Sequence, residues 1–515
     1  MAEADLVLKN ARVITVDPRR PTAELVAVKG DRIRLVGSND SLESVKGAKT
    51  RVIDCQGKTV VPGFIDAHCH VFSFIRKQIS LDLSLPSVRS IDDIRALIKQ
   101  EAQNTPPGQW IIASDYNDFY LAEKRHPTRW DIDEVTPNHP VVLSHRSLHA
   151  CVLNSRALAL AGITMETPEP PGGLIDRDIN TGEPTGLLFE MLGYIRYRVM
   201  PPLSEAELSR GVAVANAHYL SQGLTSLQDA TVTNELKRWG IYQRFKDTGK
   251  LKSRLYLMAG PAELPRFQQA GLTFGYGDNR LRMGGLKIVL SEATGRLYPP
   301  QPELNELVLK AHRAGYQVAI HSVQASTVEA AIAALEYVQS QSPQAGRRHR
   351  IEHCAECPPP LFERLKKLQP VVVTQPPFFY YSGERYLALV PPDRLLWLYR
   401  IKSLFDSRLV VAASSDSPVV PNNPLVGIYG AVTRQAASGQ VLIPGECVSA
   451  SQALAMYTIN AAYASFEEDV KGSITPGKLA DLVVLRADPT TVPPEQIKDI
   501  KVEMTIIGGE VVWED

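Results

Sequence analysis

The sequence predicts an α/β fold, a distorted (β/α)8 barrel with a small β domain assembled from both chain termini. Three observations carry this expectation. The middle of the chain repeats strand, helix and strand at intervals of about thirty residues, the length of a βαβ unit. The two ends carry short runs rich in β-branched residues separated by turns. Side chains able to bind metal fall at strand ends in phase with the central repeat.

At the N-terminus, Leu6 to Ile14, Glu24 to Val28, Arg32 to Val36 and Arg51 to Ile53 read as strands, with Lys29-Gly30-Asp31 supplying a hairpin turn. The C-terminal stretches Ala480 to Leu485 and Val502 to Trp513 have the same character. Residues 1–59 and 472–515 are therefore expected to form one small β-sandwich domain, with the barrel in residues 60–471. Its first strand is the apolar run Phe64 to Ala67, bounded by Pro62-Gly63 and followed by His68-Cys69-His70. Further strands are expected at 224–229, 254–258, 284–290, 316–321, 350–353, 371–374 and 408–413, eight in all. Between them, Glu303 to Ala314 carries Leu304, Leu307, Val308 and Ala311 at helical spacing and ends at Gly315. Ser326 and Glu329 have capping-box spacing at the head of the next helix. The interval from about 74 to 208 is too long for one βα connection. It is expected to be an insertion covering the mouth of the barrel.

Composition bounds the function. A chain of 515 residues can bury a large core, and 22% charged residues is ordinary for a globular enzyme. Lys+Arg and Asp+Glu both number 56, which gives no support to nucleic-acid or anionic-membrane binding. Six scattered cysteines argue against a disulfide framework and for a reducing compartment. No signal peptide or bilayer-spanning run is legible, so a cytoplasmic protein acting on a small molecule is expected, with homo-oligomerisation left open.

Side chains at i and i+2 on a strand share a face, so His68 and His70 converge at the C-terminal end of the first strand. In a parallel barrel, that end is where active sites are built. Lys287 lies in the fourth strand, His321 ends the fifth, His353 ends the sixth and Asp416 ends the eighth. Singly, each has a plainer explanation, such as a hydrogen-bonded core histidine or an Asx turn at Asp416. Jointly, imidazoles and a carboxylate around one rim suit Zn²⁺ or a related divalent metal.

The run Pro-Gly-Phe-Ile-Asp66-Ala-His68-Cys-His70, the split β flanks, Arg350-Ile-Glu-His353 and Ser415-Asp416-Ser-Pro resemble the amidohydrolase superfamily of metal-dependent hydrolases. The chain is similar in particular to the N-substituted-formamide deformylase subgroup, and more distantly to D-aminoacylases. Supporting stretches are His149-Ala-x-x-x-Asn154-Ser, Gly182-Glu-Pro-Thr-Gly186 and Gly472-Ser-Ile-Thr-Pro-Gly. The resemblance implies a TIM barrel and two divalent ions, zinc first among them. His68 and His70 would hold one ion, His321 and His353 the other, with Lys287 N-carboxylated by carbon dioxide as the bridge. It also implies that a metal-bound hydroxide attacks an amide, N-formyl, carbamate or cyclic-amide carbon. Asp416 would contact the metal site and act as general base and then general acid. One departure is that Ile-Val-Leu-Ser-Glu follows Lys287 where such relatives tend to carry Asp-Gly. A single-ion site with unmodified Lys287 is the alternative centre. Ester or lactone hydrolysis, deamination and a non-catalytic metal-binding regulator are the alternative functions.

His149, in the insertion, and Asp229, at a strand end, are candidate substrate contacts; Asp229 could instead support the barrel mouth. Cys354-Ala-Glu-Cys357 has CxxC spacing without a second pair and reads as loop beside His353.

Overall fold

A computed structural model describes residues 3–515. The chain falls into two compact units. The first runs to Val71 and includes Ala215–Val289 and Pro302–Asp515; the second comprises Phe72–Val214 and Leu290–Gln301.

The first unit contains an eight-stranded parallel sheet in sequential order: β1 (Phe64–Cys69), β2 (Leu224–Asp229), β3 (Arg254–Ala259), β4 (Leu281–Val289), β5 (Val318–Ser322), β6 (Arg350–His353), β7 (Val371–Thr374) and β8 (Val411–Ala413). Every neighbouring pair is parallel, as βαβ connections require. The end strands β1 and β8 share no ladder, but Asp416 N donates to His68 O at 2.9 Å and His70 N to Ser417 O at 2.7 Å. The result is a distorted (β/α)8 barrel. Strand alternation divides β1 cleanly. Ile65 and Ala67 pack with Val371, Val373, Ala412 and the helix Ile459–Ala464, while Asp66 and His68 point the other way. Gly63 is needed at the entrance to β1, where a Cβ would fall 2.2 Å from Thr225 Oγ1.

Helices follow the strands as the apolar periodicity predicts, including Gln301–Arg313, Ala325–Gln341 and Pro359–Leu368. The helix does not begin with the expected capping box. Gln324 occupies the N-cap and Ser326 lies inside the first turn, with Thr327 Oγ1 donating to Gln324 O at 2.8 Å.

Both termini build two further sheets. Leu6–Lys9, Leu25–Lys29, Arg32–Gly37 and Arg51–Asp54 form a four-stranded sheet. The six-stranded sheet joins Arg12–Ile14, Thr22–Ala23 and Thr59–Pro62 to the C-terminal strands Leu482–Leu485, Val502–Ile507 and Glu510–Glu514. Leu6, Leu8, Val26 and Val28 from one sheet share a core with Val13, Val60, Leu482, Val484 and Ile506 from the other, the packing of a β-sandwich.

The second unit has a six-stranded mixed sheet, including Ile111–Tyr116, Val141–His145, Ala150–Leu153 and Pro184–Phe189. Val141 and Leu143 enter one core and Val142 the other, so both faces are covered. Among the described residues, no helix is long and apolar enough to cross a membrane.

Candidate metal centre

Six of the side chains singled out from sequence come together at the C-terminal ends of the barrel strands. His68, near the end of β1, and His70, just past it, have ring centroids 5.4 Å apart. The His353 ring, at the end of β6, lies 5.0 Å from that of His68 and 4.4 Å from that of His321 on β5. Lys287 Nζ, from β4, is 3.4 Å from His68 Nε2. Asp416, just past β8, places Oδ1 3.1 Å from His70 Nε2 and 3.5 Å from His68 Nε2. His353 and Asp416 both take left-handed backbone, with φ of 67° and 59°. Non-glycine residues adopt that conformation where surrounding structure enforces it, commonly at functional sites.

The partners of these imidazoles fix where their lone pairs point. His68 Nδ1 meets the Glu352 carboxylate, which only accepts, so Nδ1 carries the proton and Nε2 is left as an acceptor. Glu352 is itself clamped by Arg350, Nε to Oε1 at 2.7 Å and Nη2 to Oε2 at 3.0 Å. Arg350 also donates to Gln228 Oε1 and Ala67 O. Gln375 Nε2 donates to Ser414 Oγ at 3.1 Å, which leaves its Oε1 to accept from His353 Nδ1 at 2.8 Å. His70 Nδ1 bonds Thr231 Oγ1 at 2.9 Å. Such supporting bonds orient metal-binding histidines and set their tautomers.

Burial keeps the His68 and His353 imidazoles neutral. It holds His68 well below the usual range, helped by the charge of Lys287, and pushes His353 down to about 4. Lys287 is lowered to about 8 by burial, against the opposing pull of Glu352 and Asp416. Burial would raise Asp416, but His70, His68 and His353 outweigh it and hold the carboxyl below its ordinary value.

A divalent cation fits this donor set. His353 Nε2 is buried without a hydrogen-bond partner, a costly state for a group in a low-dielectric interior. One ligand atom each from His68, His70 and Asp416 lies within 4.8 Å of the others, the only such group of His, Cys, Asp and Glu side chains among the described residues. Neutral imidazoles with a carboxylate are zinc-type ligands.

The remaining candidates are Asp229 and His149. Asp229 is fully buried; its Oδ1 accepts from Thr231 N at 3.1 Å and its Oδ2 from Tyr242 OH at 2.8 Å. That geometry favours support of the barrel mouth, through Thr231 and His70, over contact with substrate. His149 belongs to the second unit, where Nδ1 lies 2.9 Å from Glu190 Oε1. Cys354 and Cys357 are buried free thiols in the loop after β6. Sequence reasoning gave no role to Glu352, Arg350, Gln375 or Thr231. Arg350 and Glu352 sit within the quoted Arg-Ile-Glu-His run, and the alternation of β6 was the signal available for them.

Residues 51–513 match the sequence profile of the amidohydrolase family. An N-substituted formamide deformylase of Arthrobacter pascens is 32% identical over 99% of this chain and 98% of its own length. Protein LONG AFTER FAR-RED 3 of Arabidopsis thaliana is 29% identical over 99% of this chain and 92% of its own. Among solved structures, an uncharacterized metal-dependent hydrolase from Pyrococcus furiosus superposes with a TM-score of 0.72 at 25% identity, covering 94% of this chain and 100% of the other.

Proposed function

The chain belongs to the amidohydrolase family of metal-dependent hydrolases, and on that premise we propose that it hydrolyses a non-peptide C–N bond of a small amide, an N-substituted formamide first among them. The observation that carries this reading is the buried His353 Nε2, an acceptor without a hydrogen-bond partner, beside the cluster of His68, His70 and Asp416. Two divalent ions, zinc in the first instance, are assigned to His68, His70, His321, His353 and Asp416, with Lys287 carboxylated on Nζ to add anionic oxygens. Ions held there supply a water acidified to a pKa of ~7 and a polarised substrate carbonyl.

The protein's own part is orientation and proton transfer. Glu352, Gln375 and Thr231 keep His68, His353 and His70 aimed at the centre. Asp416, ionised at neutral pH, accepts a proton from the attacking water as its oxygen bonds to the carbonyl carbon. The same carboxyl then returns that proton to the leaving nitrogen as the C–N bond breaks, giving an amine and a carboxylic acid. A formamide would release formate. The similarity to a formamide deformylase supports this substrate class.

The test joins elemental analysis to a substrate panel of N-substituted formamides, N-acyl amino acids, carbamates, esters and aminated rings, following release of amine, ammonia and carboxylate. Bound divalent metal and amine release are expected. Metal-loaded protein inert on the whole panel would overturn hydrolysis in favour of a regulator, and ammonia release from a ring would shift the reading to a deaminase. Asp416→Asn should keep its metal and lose at least about a hundredfold in kcat; unchanged turnover would remove Asp416 from the mechanism. Native mass spectrometry at neutral pH should find the chain heavier by one CO₂, and its absence would leave the single-ion centre.

A further inference from the structure

The second unit holds a hydrogen-bond imbalance of the opposite sign. Arg196 sits on a single π-helical turn, Ile195–Val199, a backbone form frequent at functional sites. Its Nη1 donates to Ser73 Oγ at 3.3 Å and its Nη2 to Ser144 Oγ at 3.1 Å. Ser73 comes from the helix Val71–Lys77 and Ser144 from the strand Val141–His145. No carboxylate pairs with this guanidinium among the described residues. The ionisable groups that act on it are Tyr197 and Cys151, and the Cys151 thiol is itself pushed up to about 12 by burial. Burial accordingly pushes Arg196 below its ordinary range, yet the residue keeps access to solvent.

The donor count is lopsided. A guanidinium has five N–H donors and no acceptor. The serine oxygens take two of them, and neither serine O–H finds an acceptor among the described residues. Every polar group in the cluster therefore has a proton left to give. A half-buried cation without a counter-ion is unfavourable, and an anion arriving there would relieve it.

We propose that Arg196, Ser73 and Ser144 form a binding site for a carboxylate. The planar guanidinium matches a carboxylate through two parallel N–H donors. One cation flanked by neutral hydroxyls balances a single negative charge, whereas a phosphate dianion would be left half-neutralised. The site stands independently of the reading of the metal centre.

Calorimetric titration of the full-length protein with propionate and with inorganic phosphate, at fixed ionic strength, tests it. The titrations are run on wild type, Arg196→Gln, Arg196→Lys and the Ser73→Ala/Ser144→Ala pair, each with and without a metal chelator. Saturable propionate binding that survives chelation is expected, at least tenfold weaker in Arg196→Gln and intermediate in Arg196→Lys. Phosphate should bind no tighter than propionate. Thermal unfolding of ligand-free Arg196→Gln should occur at or above the wild-type temperature, because the substitution removes an uncompensated charge. Any of four results overturns the proposal: no saturable propionate binding in wild type, equal binding in Arg196→Gln, binding abolished by chelation alone, or clear preference for phosphate. A lower unfolding temperature with unchanged binding would make Arg196 a structural residue.

Discussion

His349 and His353 lie four residues apart, one just before β6 and the other at its end, and they have opposite fates. His349 Nδ1 accepts from Val318 N at 3.1 Å, so its Nε2 carries the proton and donates to His312 Nδ1 at 2.9 Å. His312 Nε2 in turn donates to Ser342 O at 2.9 Å, and the chain is closed. His353 gives its Nδ1 proton to Gln375, and its Nε2 has no partner. Burial lowers both, His349 to about 3 and His353 to about 4. Proton affinity thus fails to separate the two. What separates them is the acceptor left over when every hydrogen bond has been counted.

That distinction is open to direct attack. The largest effect is expected for His353→Ala, which should strip metal from the centre and lower kcat/KM by at least about a hundredfold, read by elemental analysis and turnover. Full metal content in this variant would mean that the leftover acceptor is not a ligand. Gln375→Leu removes the group that fixes the His353 tautomer and should loosen metal by about 10–100-fold in a chelator competition. An unchanged affinity would reduce Gln375 to packing. His349→Gln should leave metal content at the wild-type level and lower stability by about 1–3 kcal/mol in denaturant unfolding, through the groups it leaves unpaired. The smallest effect concerns pH. His349 is held at about 3 against an ordinary 6.5, so the unfolded chain takes up a proton the native state refuses. Stability from this source is complete above 6.5 and falls as pH drops towards 3. His349→Gln should flatten that slope by up to one proton, and an unaltered slope would show that His349 does not control it.

Most of the barrel was legible because its signals are local. All eight strands fall where the apolar runs and the βα repeat placed them, with β4 beginning at Leu281, β5 at Val318 and β8 at Val411 rather than 284, 316 and 408. The meeting of the six clustered side chains was legible for the same reason, since strand ends fall in phase. The groups behind them were not. Gln375 meets His353 across 22 residues and Glu352 meets His68 across 284, and no periodicity encodes such pairs. The sheet of residues 72–214 escaped because its strands are buried on both faces, so the alternation that marks a half-exposed strand is lost. The cap at Gln324 defeated the Ser-x-x-Glu pattern, since glutamine carries no capping signal of its own.

The junction of β1 and β8 has a consequence for the whole ring. No ladder holds these strands; beside the bonds of Ser415 to Asp66, two main-chain bonds do, and they involve His68, His70 and Asp416, the three residues whose ligand atoms cluster. An ion seated among them would act as a clasp, fastening the first stave of the barrel to the last. Its removal should therefore be felt along the seam as faster amide exchange at His70 and Asp416, well before the hoop itself comes apart.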